Sequence, residues 1–93
     1  MPVRVRVYAT LRPIVGSREA PTHTKPGQPV SALIDELVTR WPGLRPEMVD
    51  SQGQLLNRIQ IFVNGRSIRH LAGLDTPIPE DASIDIFPPV GGG

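Results

Sequence analysis

The chain has 93 residues, of which 39% are hydrophobic and 20% charged, with a formal net charge of +1. That size fits one domain with a modest core, and the apolar share is too high for a disordered segment. The near-zero charge, without a basic block interleaved with aromatics, removes the electrostatic basis for nucleic-acid binding. The absence of cysteine excludes disulfides, cysteine metal sites and a thiol nucleophile of the chain's own.

Arginine supplies all the basic side chains but one, Lys25, a bias that reads as compositional. The 11 prolines and 9 glycines imply many turns and short elements. No apolar run approaches the roughly 18 residues needed to cross a bilayer. The N-terminal segment MPVRVRVYATLR alternates and carries no hydrophobic signal core, so a soluble, cytoplasmic protein without membrane contact is expected.

In chain order, the first element is a strand. Val3, Val5 and Val7 alternate with Arg4, Arg6 and Tyr8, which puts the valines on a core face. Pro13 and Gly16 break it. Residues 19–25 give a weak second strand, expected at an edge because Pro21 cannot donate to a ladder. The one strong helix is PVSALIDELVTRW. Its apolar residues Val30, Leu33, Ile34, Leu37, Val38 and Trp41 form one continuous stripe. Pro29 suits the first helical position, with Ser31 as a cap for a slightly later start, and Pro42-Gly43 ends it. A single amphipathic helix must lay that stripe on a sheet.

Residues 44–56 read as a loop with room for one helical turn. Ile59, Ile61 and Val63 alternate with Arg58, Gln60 and Phe62 in a further strand. Asn64-Gly65 then signals a tight hairpin, with Ser67 to Arg69 as its return arm. A turn-rich stretch leads to SIDIF, where Ile84 and Ile86 face in and Ser83, Asp85 and Phe87 face out, until Pro88-Pro89 stops the strand. Two strands, one helix and more strands around one core make an α+β fold. The first and last strands, with the cleanest patterns, are expected at the sheet centre. Residues 1–87 are read as the domain and 88–93 as a flexible tail.

Side-chain chemistry is sparse. His23 and His70 have no second ligand at metal spacing and read as solvated, so no metal site is expected. The pairs Asp35-Glu36 and Glu80-Asp81 also read as solvated. The serines show no nucleophile elbow or triad, and no phosphate-binding glycine motif occurs. Strand parity, however, puts Tyr8, Phe62 and Phe87 on the face opposite the core, beside Arg4, Arg6 and Asp85. These are three of the four aromatic residues of the chain. Exposed aromatics are what protein interfaces use, so this face is a candidate partner patch. The tail PPVGGG is the other feature. Glycine carries no side chain, so such a tail fits a channel too narrow for other residues, and its terminal carboxylate is a chemical handle.

Together these residues resemble a known family. VRVYATLRPIVG, VSALIDELVTRWPGL, IFVNGR and GLDTPI…SIDIFPPVGGG are similar to the β-grasp (ubiquitin-like) sulfur carriers that include the small subunit of molybdopterin synthase. Two departures stand out. Gly91 replaces the small residue usual before the final glycine pair, and Pro79-Glu80-Asp81-Ala82 replaces a common Asp-Gly-Asp turn.

The resemblance implies a β-grasp mixed sheet packed on the main helix. It implies that an adenylating, E1-like activating enzyme uses ATP on the Gly93 carboxylate, which a sulfur donor converts to a thiocarboxylate. Val90, Gly91 and Gly92 are then the thread that enters a partner, and Tyr8 and Phe87 belong to the docking surface. No cofactor would be bound by the chain itself. The implied acceptor is the large subunit of molybdopterin synthase. A carrier for cysteine synthesis and a modifier joined to lysines are the alternatives that the resemblance leaves open, and an inert binding domain is the third.

Overall fold

The computed structural model describes residues 3–88. Its sheet is four-stranded, in the order β1 (Arg4–Val7), β4 (Ser83–Phe87), β2 (Gln60–Val63), β3 (Arg66–Ser67). β1 runs parallel to β4, while β2 is antiparallel to both β4 and β3. Short helices α1 (Arg12–Val15) and α3 (Arg45–Met48) flank the long α2 (Val30–Arg40) in the chain. The mixed α+β class expected from the sequence is the one observed.

The core lies between α2 and one face of the sheet. Val30, Leu33, Ile34, Leu37 and Val38 are all buried, as the stripe predicts, and Trp41 packs half-buried against them. They meet Val5, Val7, Ile61, Val63, Ile84 and Ile86, the inward set of three strands. At roughly 1.5–3 kcal/mol for each fully buried side chain, this contact supplies much of the gross hydrophobic stabilisation.

The helix begins between the two expected starts, one residue after Pro29 and two before the start that a Ser31 cap would give. Pro29 is extended and stands at the N-cap, with Val30 the first helical residue. Ser31 does not cap; instead the Val30 amide donates to Thr76 O at 2.9 Å. The loop from Gly27 to Pro29 runs against residues 76–78, with Gly27 N to Ile78 O at 2.8 Å and Ile78 N to Gln28 O at 2.9 Å. A tertiary partner thus satisfies one of the amides that the start of a helix leaves without an intrahelical acceptor.

Four other expectations are corrected. β1 is an outer strand of the sheet and only β4 of the expected pair is central, flanked by β1 and β2. The valines of β1 are buried by the helix layer, which gives the same pattern as a central position. Residues 19–25 form no strand: a single bridge pairs Glu19 with Arg6, with Val7 N to Arg18 O at 3.0 Å and Ala20 N to Val5 O at 2.9 Å. The pairing goes no further, and the amides of His23 and Thr24 turn to the Glu36 carboxylate instead of to β1. The return arm of the hairpin is Arg66–Ser67, and Ile68 to His70 already turn into a 3-10 helix capped by Ser67 Oγ on Arg69 N. Residues 9–16, read only as a break, hold a 3-10 turn and α1, with Pro13 in its first turn and Gly16 left-handed at its C-cap (φ 87°). Proline and glycine in that order punctuate a short helix as well as they end a strand.

The Asn64-Gly65 hairpin is as expected: both residues have positive φ, 51° and 82°, which is the type I′ pattern. Asn64 also clips the turn to β4, with Ser83 N donating to its Oδ1 at 2.8 Å.

Glu36, expected to be solvated, is half-buried and ties the segment after the bridge to α2. It accepts from His23 N at 2.6 Å, Thr24 N at 2.8 Å, Thr24 Oγ1 at 2.6 Å and Arg40 Nη1 at 3.2 Å. Burial pushes its pKa up, but these hydrogen bonds together outweigh that and hold it below the usual glutamate value. A carboxyl with a lowered folded pKa stabilises the fold above its unfolded pKa, and that contribution is lost as pH falls through the lowered value. Glu36→Gln should therefore be less stable than the parent at neutral pH. The gap between their urea midpoints should close on the acid side, below the ordinary glutamate range. A gap that stays constant with pH would show that the charge is irrelevant.

Candidate functional site

The second face of the sheet is left open by α2. Strand register arranges it in rows. Arg6 lies opposite Asp85, Asp85 opposite Phe62, and Phe62 opposite Ser67, so one row crosses the whole sheet. The next row pairs Phe87 with Gln60, and the row before pairs Arg4 with Ser83. The alternation that buries Val5, Val7, Ile84 and Ile86 sends these residues outward.

Tyr8 follows the last residue of β1. Its backbone is extended, and Ala9 after it has φ 52°, an uncommon value for a residue with a Cβ, which turns the chain sharply at the strand end. The Tyr8 ring stacks on Phe87 with centroids 4.2 Å apart and 15° between planes. Phe62 meets Phe87 edge-on at 5.7 Å. All three rings are half-buried. The Arg12 guanidinium lies 5.0 Å from the Tyr8 centroid and is anchored by donating from Nε to Val7 O at 2.9 Å. Gln60, Phe62, Gly65, Asp85 and Phe87 line a shallow, mainly apolar depression beside the stack.

The polar groups of this face are mostly paired with one another. Arg6 forms an ion pair through Nε with Asp85 Oδ1 at 3.0 Å and donates from Nη2 to Ser83 Oγ at 2.9 Å. Tyr8 donates its hydroxyl to the same Asp85 oxygen at 2.7 Å. Arg4 pairs with Glu19 at 2.7 Å. Such a face presents aromatic area with little unpaired charge at its centre, which suits a partner that brings apolar side chains.

All five side chains proposed from sequence for the patch, Arg4, Arg6, Tyr8, Phe62 and Phe87, share this face. Sequence parity placed Asp85 there without its link to Tyr8 and Arg6. Gln60 and Arg12 were missed: Gln60 has the parity of Phe62 and was within reach, whereas Arg12 arrives only through the turn at Ala9. No group of three or more metal-binding side chains occurs among the described residues. Val90, Gly91, Gly92 and Gly93 lie outside the described residues; the last described position, Pro88, is buried at the end of β4.

Known proteins share this arrangement of chain and sheet. The profile of the ThiS family matches residues 5–93. The chain belongs to the ThiS family. It is a ubiquitin-like β-grasp sulfur-carrier protein, as its resemblance implied.

Among curated relatives, small archaeal modifier protein 3 of Haloferax volcanii is 27% identical over 93 residues, covering 100% of both chains. Sulfur carrier protein CysO of Mycobacterium tuberculosis is 32% identical over 95 residues, again covering 100% of both. Among solved structures, SAMP1 from Haloferax volcanii superposes with a TM-score of 0.84 at 26% identity, covering 98% of each chain. CysO of Amycolatopsis orientalis, solved in complex with BexX, gives a TM-score of 0.79 at 27% identity over 99% of this chain and 100% of that one. A putative molybdopterin converting factor subunit 1 from Pyrococcus furiosus gives 0.72 at 26% identity, over 95% and 97%.

Phe87 is the hub of the ring contacts in this ThiS-family protein. Phe87→Leu keeps apolar bulk and removes both ring contacts, each worth about 0.5–1.5 kcal/mol beyond area burial. Urea denaturation should show a loss of about 1–3 kcal/mol. An unchanged midpoint would mean that the rings merely lie side by side.

Proposed function

We propose that this protein carries sulfur as a thiocarboxylate on Gly93. The observation that carries the reading is a family match that runs through the whole fold to residue 93 and so includes the terminal glycines. The chemistry needs no side chain of the carrier. A carboxylate oxygen of Gly93 attacks the α-phosphorus of ATP on an E1-like activating enzyme, pyrophosphate leaves, and an acyl adenylate forms. Hydrosulfide attacks that carbonyl carbon and AMP departs, giving the thiocarboxylate directly; where the sulfur arrives instead as a donor's persulfide, the acyl disulfide that forms is cleaved at its S–S bond by a second thiol, which leaves as the mixed disulfide with the donor. Val90, Gly91 and Gly92 serve as the thread, slim enough for a narrow channel in each partner. The open aromatic face, with Arg4 and Arg6 at its β1 side, docks on those partners.

The acceptor is the finer question. Delivery to the pterin precursor of molybdopterin, with the large subunit of molybdopterin synthase as partner, is supported by likeness to the Pyrococcus protein at 26% identity. The 32% identity to CysO over the full length favours a sulfur carrier of that type instead. Likeness to archaeal modifier proteins supports a second reading, in which Gly93 forms isopeptide bonds with lysines of target proteins.

Intact mass decides between carrier and modifier, and copurification with a large subunit would favour molybdopterin synthase among the carriers. After incubation with ATP, the activating enzyme and a sulfur source, the chain should gain the mass difference of one sulfur replacing one oxygen. Higher-mass adducts on lysines would favour the modifier. An unchanged mass, with full activity after deletion of Gly92 and Gly93, would remove both readings. Gly93→Ala or a C-terminal His tag should abolish transfer while leaving the melting temperature unchanged; a large stability loss would show that the tail is packed. Phe87→Asp should weaken partner affinity about tenfold or more, as loss of a central aromatic anchor does. Unchanged affinity would show that docking uses another face.

A further inference from the structure

We infer that Asp85 is a positioning residue of the docking face: its carboxylate holds Tyr8 and Arg6 in one arrangement, so that partners meet a preassembled surface. The inference rests on the reading under Proposed function for what the face docks, and on geometry for how the face is held.

Aspartate is a poor strand former, and this one sits on the central strand between Arg6 and Phe62. Its side chain is 16% exposed. A carboxylate that far from water needs partners, and two groups converge on Oδ1: the Tyr8 hydroxyl, which donates to it at 2.7 Å, and the Arg6 guanidinium, whose Nε lies in ion-pair contact at 3.0 Å. An ion pair with an arginine as exposed as Arg6 adds little stability by itself, so the pairing is not explained by the stability it brings.

What it does explain is the orientation of Tyr8. Tyr8 stands one residue past the end of β1, and the chain turns away at Ala9, so no further residue of the strand backs its ring. The hydroxyl is held at Asp85 and the ring at Phe87, two points that leave one ring position. Arg6 is likewise held at two points, Asp85 and Ser83.

The groups facing the phenol are Asp85, Arg6 and Arg12, and their influence reads the same way. The hydrogen bond to Asp85 first, burial second and the Asp85 charge third raise the Tyr8 pKa above its ordinary value, against the pull of Arg6 and Arg12. Ordering a side chain before rather than during association spares roughly a two- to tenfold loss of affinity for each one. With Tyr8 and Arg6 both held, Asp85 should be worth on the order of tenfold in partner affinity.

Tyr8 is the only tyrosine of the chain, so phenolate absorbance reports on it alone. The experiment compares the parent with Asp85→Ala, Asp85→Asn, Tyr8→Phe and the Asp85→Ala/Tyr8→Phe double variant. It measures the phenol titration of each free chain that retains Tyr8, and the KM and kcat of the activating enzyme for each chain as substrate. Asp85→Ala should lower the Tyr8 midpoint toward its ordinary value and raise KM about tenfold with kcat unchanged. Asp85→Asn, which keeps an acceptor for the hydroxyl, should recover part of that KM. The double variant should be no worse than Asp85→Ala alone. A purely structural role would instead lower the melting temperature with no recovery by asparagine.

An unmoved phenol midpoint, an unchanged KM or fully additive losses would each overturn the inference. If the parent chain is not adenylated, the reading under Proposed function falls by itself. The titration and the near-UV circular dichroism of Tyr8 in the free chain then decide whether Asp85 positions the ring. A lowered midpoint with a weakened tyrosine band sustains that role, and unchanged signals overturn it.

Discussion

The alternation of β4 couples the two faces of this protein. Ile84 and Ile86 point into the core under α2, and the residues between and after them, Asp85 and Phe87, point to the open face. Because the period is two, a slip of one residue would expose both isoleucines and bury a carboxylate. The register that satisfies the core is therefore the register that assembles the aromatic face. β4 is also the strand that both β1 and β2 pair with, so it aligns Arg6 from one side and Phe62 from the other.

A second constraint comes from the edges. β1 has only one full strand neighbour, and the Arg18–Ala20 segment covers its outer side with two backbone hydrogen bonds. That segment is held in turn by Glu36 of α2 through the amides of His23 and Thr24. The helix thus contributes twice: its apolar stripe closes the core, and one carboxylate on its flank keeps the covering segment in place. Capping the edge this way limits unwanted strand pairing at β1 and leaves the aromatic face, not the edge, as the surface open for association.

The loops are less loose than their composition suggests. Leu44, Met48, Val49, Ile78 and Ala82 are buried although none belongs to a strand or to the long helix. Residues 76–78 run beside the start of α2 and meet its first amide, so the turn-rich stretch before β4 is part of the packing that sets where the helix begins. Proline and glycine there shape a path across the core without ending its burial.

The periodic elements were legible in the sequence because each buries one face: the valines of β1, the stripe of α2, the isoleucines of β2 and β4, and the Asn64-Gly65 turn. Parity alone then put Tyr8, Phe62 and Phe87 together. Strand order was not legible, since valines under a helix read the same in a central or an outer strand. Nor was the fate of residues 19–25, where a bridge stands in place of a strand and the next amides go to Glu36, or of residues 9–16, where Pro13 and Gly16 punctuate a helix instead of only ending a strand. Interactions across long sequence separations lay beyond reach for the same reason. Tyr8 meets Asp85, and Glu36 meets His23 and Thr24, only once the layers have packed. Local patterning determined which face each residue takes; the tertiary structure decided which residues on that face touch, because contact depends on strand order and turn geometry that period-two alternation does not encode.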